Sequence, residues 1–119
     1  MNRPVAVNFN ELPWKPHPTI SGIQVKLVPN EAPFSPADVV VAGVAAQGEI
    51  PWHVHERHAE IAYVVKGEGI LYCAETQGGP VTAESPMPAG SAVIVPAGLW
   101  HTVKNVGIDD MLLFATHTL

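Results

Sequence analysis

Three histidines and one glutamate stand at spacings that could bring their side chains to a single metal ion. His53 and His55 are separated by one residue, so on a β-strand both imidazoles would point to the same side. Glu60 follows a short polar break, and the strand it begins would bring its carboxylate alongside the histidine pair. His101 follows a Pro-Ala-Gly turn and starts another apolar segment. These residues are the candidate metal ligands.

The chemistry of this donor set is that of a transition metal. Imidazole nitrogens with one carboxylate suit iron, manganese, zinc, nickel or copper, whereas calcium prefers oxygen ligands. Four protein ligands would leave positions open on an octahedral ion, which is typical of a catalytic site and not of a closed structural site. Glu60 has a second candidate role, because a carboxylate that leaves the ion could act as a general base. The other clear acid–base candidates are consumed as ligands, which favours chemistry done by the metal.

The segments that must position these residues carry the alternating pattern of β-strands. Valine-rich apolar runs and period-two alternation predict strands rather than helices, and glycine- and proline-rich connections separate them. About eight short strands predict an all-β sandwich or jelly roll. Besides the segment holding His53 and His55, the predicted strands are 23–28, 38–46, 60–65, 69–74, 91–95, 101–105 and 111–116.

The N-terminal residues form a separate unit in this interpretation. Four prolines interrupt residues 1–20 and exclude a regular helix there, so we expect an extended arm followed by a barrel domain over residues 21–119. The arm also carries apolar side chains such as Trp14, which should pack along its own barrel or along that of a neighbouring chain. The second option implies a homodimer.

Composition restricts the partners and the compartment. The 119 residues suffice for one domain, 47% of them are hydrophobic, and the net charge is −5 with six scattered basic residues. This pattern argues against nucleic acid and anionic membranes as partners and favours a small-molecule ligand. The single cysteine, Cys73, cannot form an internal disulfide, and we expect it to be a small buried apolar residue. With no leader-like or membrane-spanning segment in the sequence, the expected location is cytoplasmic.

The two histidine-bearing stretches resemble the two sequence motifs of the cupin family. Residues 48–60 read Gly-Glu-Ile-Pro-Trp-His-Val-His-Glu-Arg-His-Ala-Glu, and Gly67 follows after six more residues. This is similar to G(X)5HXH(X)3,4E(X)6G, with four residues instead of five between Gly48 and His53. Residues 90–105 match G(X)5PXG(X)2H(X)3N without a gap. The motifs together span about half of the chain.

The resemblance implies a fold and a range of activities. The fold would be the double-stranded β-helix, a jelly-roll β-barrel, with His53, His55, Glu60 and His101 as ligands inside it. Cupins include dioxygenases, isomerases, decarboxylases, lyases, cyclases and binding proteins, so the fold alone does not decide the function. Our leading hypothesis is a metal-dependent, dioxygenase-like enzyme acting on a small organic substrate. The alternatives are a non-redox isomerase, cyclase or lyase, and a non-catalytic small-molecule binding protein.

The remaining histidines are not predicted to bind the metal. An isolated histidine is more often a surface residue or a hydrogen-bonded core residue than a ligand. We interpret His17, His58 and His117 in this way.

Overall fold

The computed structural model describes residues 8–27 and 38–118, and nearly all regular structure within these ranges is β-strand. Val28, the predicted break at 29–36 and residues 1–7 of the predicted arm lie outside the described residues. Among the described residues, no helix is long and apolar enough to cross a membrane. A short 3-10 helix, Phe9–Glu11, precedes strands β1 (Lys15–Pro16), β2 (Gln24–Leu27), β3 (Asp38–Val44), β4 (Glu49–His53), β5 (Glu60–Lys66), β6 (Glu68–Ala74), β7 (Val81–Pro88), β8 (Ala92–Val95), β9 (Trp100–Asn105) and β10 (Met111–His117).

The strands form two antiparallel sheets. One has the order β1-β2-β3-β10-β5-β8 and the other the order β4-β9-β6-β7. Neighbours within each sheet are mostly distant in sequence, so the chain passes repeatedly from one sheet to the other. This arrangement is a jelly-roll β-barrel, which confirms the predicted all-β fold.

The core lies between the two sheets and follows from the alternation of side chains along each strand. On β10, Met111 and Leu113 face inward and are almost completely buried, and on β5 Ala62 and Val64 do the same. Burying a methionine, leucine or valine side chain stabilises the folded state by roughly 1.5–3 kcal/mol. Cys73 on β6 is buried in the same core as a free thiol, as expected, and burial raises its pKa.

Most predicted strands coincide with observed ones to within one or two residues, but β7 was not predicted. Its sequence contains Pro86 and Pro88 and is largely exposed, so it shows neither apolar alternation nor an apolar run. β7 is the edge of its sheet and pairs only with β6 among the described strands. Prolines are tolerated on an edge strand because one side of the backbone needs no partner.

The described part of the N-terminal segment contacts the outer surface of its own six-stranded sheet. β1 pairs with β2, and the Trp14 indole lies against Gly43, where an added Cβ would stand 3.2 Å from the ring. The Lys26 ammonium lies 4.8 Å from the centroid of the same ring, a cation–π distance. Residues 14–16 therefore pack on the barrel of the same chain.

Asn105 at the end of β9 ties two loops together. It is buried, and its Nδ2 lies within hydrogen-bonding distance of the carbonyl oxygens of Val44, Ala45 and Asp109. Its Oδ1 accepts a hydrogen bond from the backbone N–H of Gly107. These contacts fix the turn that leads into β4 relative to the strand that carries His101.

Candidate metal centre

Both sheets contribute to one histidine-rich cluster inside the barrel. His53 ends β4 and is paired directly with His101 on β9, while Glu60 begins β5 in the opposite sheet. His55 lies in the connection between β4 and β5. Each of these residues offers one ligand atom, and all of these atoms lie within 4.8 Å of one another. The structure thus brings all four candidate ligands together.

His55 reaches the cluster by a different route from the predicted one. We expected His53 and His55 on one strand with a shared face, but the strand ends at His53. The β4–β9 register shifts between Ile50 and His53, so the bulge lies just before the residue that pairs with His101. The carbonyl of His55 accepts a hydrogen bond from the N–H of Gly98, which holds the irregular segment in place. The two imidazole centroids are 5.0 Å apart.

Backbone carbonyls fix the orientation of two of the rings. Nδ1 of His53 donates to the carbonyl of Pro51 at 2.7 Å, and Nδ1 of His101 donates to the carbonyl of Leu99 at 2.9 Å. With the proton on Nδ1, the lone pair is on Nε2, which is free to bind a cation. Hydrogen bonds of this kind are the usual support of metal-binding histidines.

Two buried nitrogens in the cluster have no hydrogen-bond partner. Nε2 of His55 lies 3.3 Å from Oε2 of Glu60, and Nε2 of His101 lies 3.5 Å from Oε1, but neither contact has hydrogen-bond geometry. Leaving a buried polar atom unsatisfied costs about 1–3 kcal/mol. A cation bound between these nitrogens and the carboxylate would satisfy all of them. The residues present therefore fit a divalent transition metal.

The electrostatics of the cluster favour the protonation states that bind metal. Burial lowers the pKa of His53 to about 4, and the neighbouring imidazoles contribute in the same direction. Burial alone would raise the pKa of Glu60, but contacts with three imidazoles, first that of His101, outweigh it and lower that pKa. At neutral pH His53 is neutral and Glu60 is anionic, as ligands must be.

His117, which we predicted to be a surface or hydrogen-bonded core residue and not a ligand, lies next to this cluster. Its Nε2 donates to Oε2 of Glu60 at 2.7 Å, and its ring centroid is 4.6 Å from that of His55. An imidazole outside the ligand group therefore lies beside it, so the acid–base candidates near the ion are not all consumed as ligands. The available signal was alternation on β10, because Met111, Leu113, Ala115 and His117 share one face of the strand.

The remaining two histidines, His17 and His58, form hydrogen bonds with backbone atoms and are not in the ligand group. Nδ1 of His58 donates to the carbonyl of Thr118 at 2.5 Å. Nδ1 of His17 accepts from the backbone N–H groups of Thr19 and Ile20 at 3.1 and 2.9 Å. Burial lowers the pKa of His17, and the nearby His117 lowers it further.

Comparison with known proteins identifies the family. The family model for the cupin domain matches residues 40–117, more than half of the chain. Together with the jelly-roll barrel and the cluster of histidines and glutamate, this shows that the chain belongs to the cupin family.

The chain is also similar in sequence to an auxin-binding protein. It is 39% identical over 71 residues to Auxin-binding protein 1 of Arabidopsis thaliana, a match that covers 56% of this chain. The chain spans about a third of the length of that relative, since the match covers 34% of it.

Solved structures share the fold. A predicted oxalate decarboxylase from Thermotoga maritima superposes with a TM-score of 0.81 at 21% identity, covering 97% of this chain and 99% of that one. An oxalate oxidase in complex with the substrate analogue glycolate superposes with a TM-score of 0.63 at 26% identity, covering 70% of this chain and 42% of that one.

Proposed function

We propose that this chain is a metal-dependent, dioxygenase-like enzyme that holds one divalent transition metal at His53, His55, Glu60 and His101 and acts on a small organic substrate. One observation carries the proposal: two buried imidazole nitrogens without hydrogen-bond partners converge with a third imidazole on one carboxylate. When bound, such an ion supplies Lewis-acid stabilisation of a substrate oxygen and, if it is iron, manganese or copper, redox chemistry with dioxygen.

The side chains near the ion would be preorganised, and those that follow Glu60 on β5 would give the site an apolar side. Backbone carbonyls hold the rings of His53 and His101, so their orientation is set before any ligand arrives. Ala62 and Val64, which follow Glu60 on the inner face of β5, are small, apolar and buried. Glu60 can serve as a base only if its carboxylate leaves the ion.

A small organic acid is the substrate class that we favour. A divalent ion with one carboxylate ligand carries net positive charge, which attracts an anionic substrate. The likeness to an oxalate oxidase bound to glycolate, which covers 70% of this chain, supports the same class.

Metal content and dioxygen uptake test the proposal together. Protein purified without chelators should contain about one equivalent of iron, manganese or copper. It should consume dioxygen with oxalate, glycolate or a related small acid, and chelation should abolish that uptake. Zinc or nickel with turnover but no uptake would favour the isomerase, cyclase or lyase alternative. Protein that takes up no stoichiometric divalent metal would refute the proposal.

A binding role is the second candidate, favoured by the 39% identity to Auxin-binding protein 1. In that case the loaded protein would bind a small molecule and release it unchanged. Calorimetry with auxin and with the same organic acids, followed by analysis of the recovered ligand, separates binding from turnover. Recovery of a chemically altered ligand would exclude a purely binding role.

We also propose that the chain forms a homodimer through the outer face of its six-stranded sheet. Ile61 and Ile94 are paired on neighbouring strands of that face and are 38% and 70% exposed, and Tyr63 and Val65 extend the same patch. Exposed apolar patches of this kind mark protein contacts. We expect light scattering to give the mass of a dimer and Ile94→Lys to give a monomer. Ile108→Lys, in a loop where the side chain is 90% exposed, is the control and should remain dimeric. A monomeric parent chain would contradict the proposal.

A further inference from the structure

Glu60 accepts a hydrogen bond from a residue that is not one of the four candidate ligands. His117 on β10 is paired with Glu60 on β5, and its Nε2 donates to Oε2 of the carboxylate at 2.7 Å. Both side chains are mostly buried, with 17% and 16% exposed. A hydrogen bond from an imidazole to a shielded carboxylate is among the stronger interactions of its kind.

The hydrogen bond distinguishes the two carboxylate oxygens. Oε2 lies between the imidazoles of His117 and His55, while Oε1 faces Nε2 of His101 at 3.5 Å. Rotation of the carboxylate about its last side-chain bond would break the contact with His117. The donor therefore opposes any movement of Glu60 that would exchange its oxygens or turn them away from the histidines.

The backbone on either side of this pair is also fixed. The N–H of Thr118 donates to the carbonyl of Ala59 at 3.0 Å, and the N–H of Ala59 donates to Oγ1 of Thr118 at 3.2 Å. Nδ1 of His58 reaches the carbonyl of Thr118. The end of β10 is thus joined to the start of β5 immediately next to His117 and Glu60, so the donor and acceptor are preorganised.

We propose that His117 is a positioning residue of the metal centre: its Nε2–H holds the carboxylate of Glu60 in the orientation in which it binds the ion. The inference rests on the proposed function, because it requires a metal at Glu60. Partners that support a ligand in this way typically contribute about 10–100-fold to metal affinity.

Cobalt(II) is a suitable probe, because its affinity can be measured by chelator competition and its visible absorption reports ligand geometry. His117→Phe removes the donor with little loss of volume, and His117→Asn is too short to reach Glu60. Both should weaken cobalt binding about 10–100-fold and shift the absorption bands. His117→Gln keeps a longer amide donor and should recover most of the affinity. Thr116→Val, on the opposite face of the same strand, is the matched control and should bind as the parent does.

The outcomes separate this inference from the proposed function. If the parent chain binds cobalt and His117→Phe and His117→Asn both keep its affinity and spectrum, His117 does not position Glu60, although the metal centre stands. If His117→Gln loses as much as His117→Phe, the loss reflects packing and the inference is wrong. If the parent chain binds no cobalt, the proposed function fails and the inference fails with it. Circular dichroism identifies any variant that does not fold, and the remaining variants then decide.

Discussion

Replacing His53 and His101 together with alanine should abolish stoichiometric metal binding while leaving the barrel folded. The two residues are paired across β4 and β9, and the orientation of both rings is fixed by backbone carbonyls. Their loss would leave only His55 and Glu60 of the group, too few ligands to retain an ion through purification. The metal content should fall from about one ion per chain to below about 0.1, as measured by elemental analysis.

The fold should survive because the apolar core between the sheets does not depend on these rings. Nε2 of His101 is buried without a hydrogen bond to any protein atom, so its removal also removes an unfavourable group. Circular dichroism and a thermal melt check this point. Lys104→Ala is the control, since Lys104 is exposed on the same strand as His101 and is not in the ligand group. Unchanged metal content in the double variant would show that the ion, if present, is held elsewhere.

The candidate ligands could be chosen from the sequence because their types and spacing are local properties. The contacts between their side chains, in contrast, depend on how distant strands pair. His53 faces His101 through the register of β4 with β9, and His55 lies beyond the end of β4, in the connection to β5. The contact of His117 with Glu60 depends on the pairing of β10 with β5, strands separated by most of the second half of the chain. A pattern within one segment cannot specify a register between two segments.

Some strands likewise show a local sequence pattern, whereas others depend on pairing with a neighbour. β5 alternates between buried and exposed residues and β10 between buried and half-buried ones, because each has one face on the core, and both were predicted. β7 has an exposed edge position, carries two prolines and gives no such alternation. β1 has two residues, too few to show any period, and exists because β2 lies beside it. Tertiary pairing, rather than intrinsic preference, makes both of these segments strands.

Replacing Gly67 with alanine should strongly destabilise the protein. Gly67 connects β5 to β6 with φ of +95°, a backbone conformation that costs other residues roughly 1–2 kcal/mol. An added Cβ would also stand 2.8 Å from Cα of Met111, which is backbone and cannot rotate away. Overpacking of this kind typically costs about 1–3 kcal/mol. The free energy of unfolding, measured by urea titration, should therefore fall by about 2–5 kcal/mol.

Gly90 offers a matched control for the conformational part of this effect. Its φ is +89°, close to that of Gly67, but an added Cβ would meet nothing within 4 Å. Gly90→Ala should therefore cost only about 1–2 kcal/mol, and the excess loss in Gly67→Ala measures the contact with Met111. Equal losses in the two variants would mean that the cost at Gly67 comes from its backbone conformation alone and not from a contact with Met111. A larger loss at Gly67 would mean that the β5–β6 turn must also leave room for the first residue of β10, the strand that ends at His117.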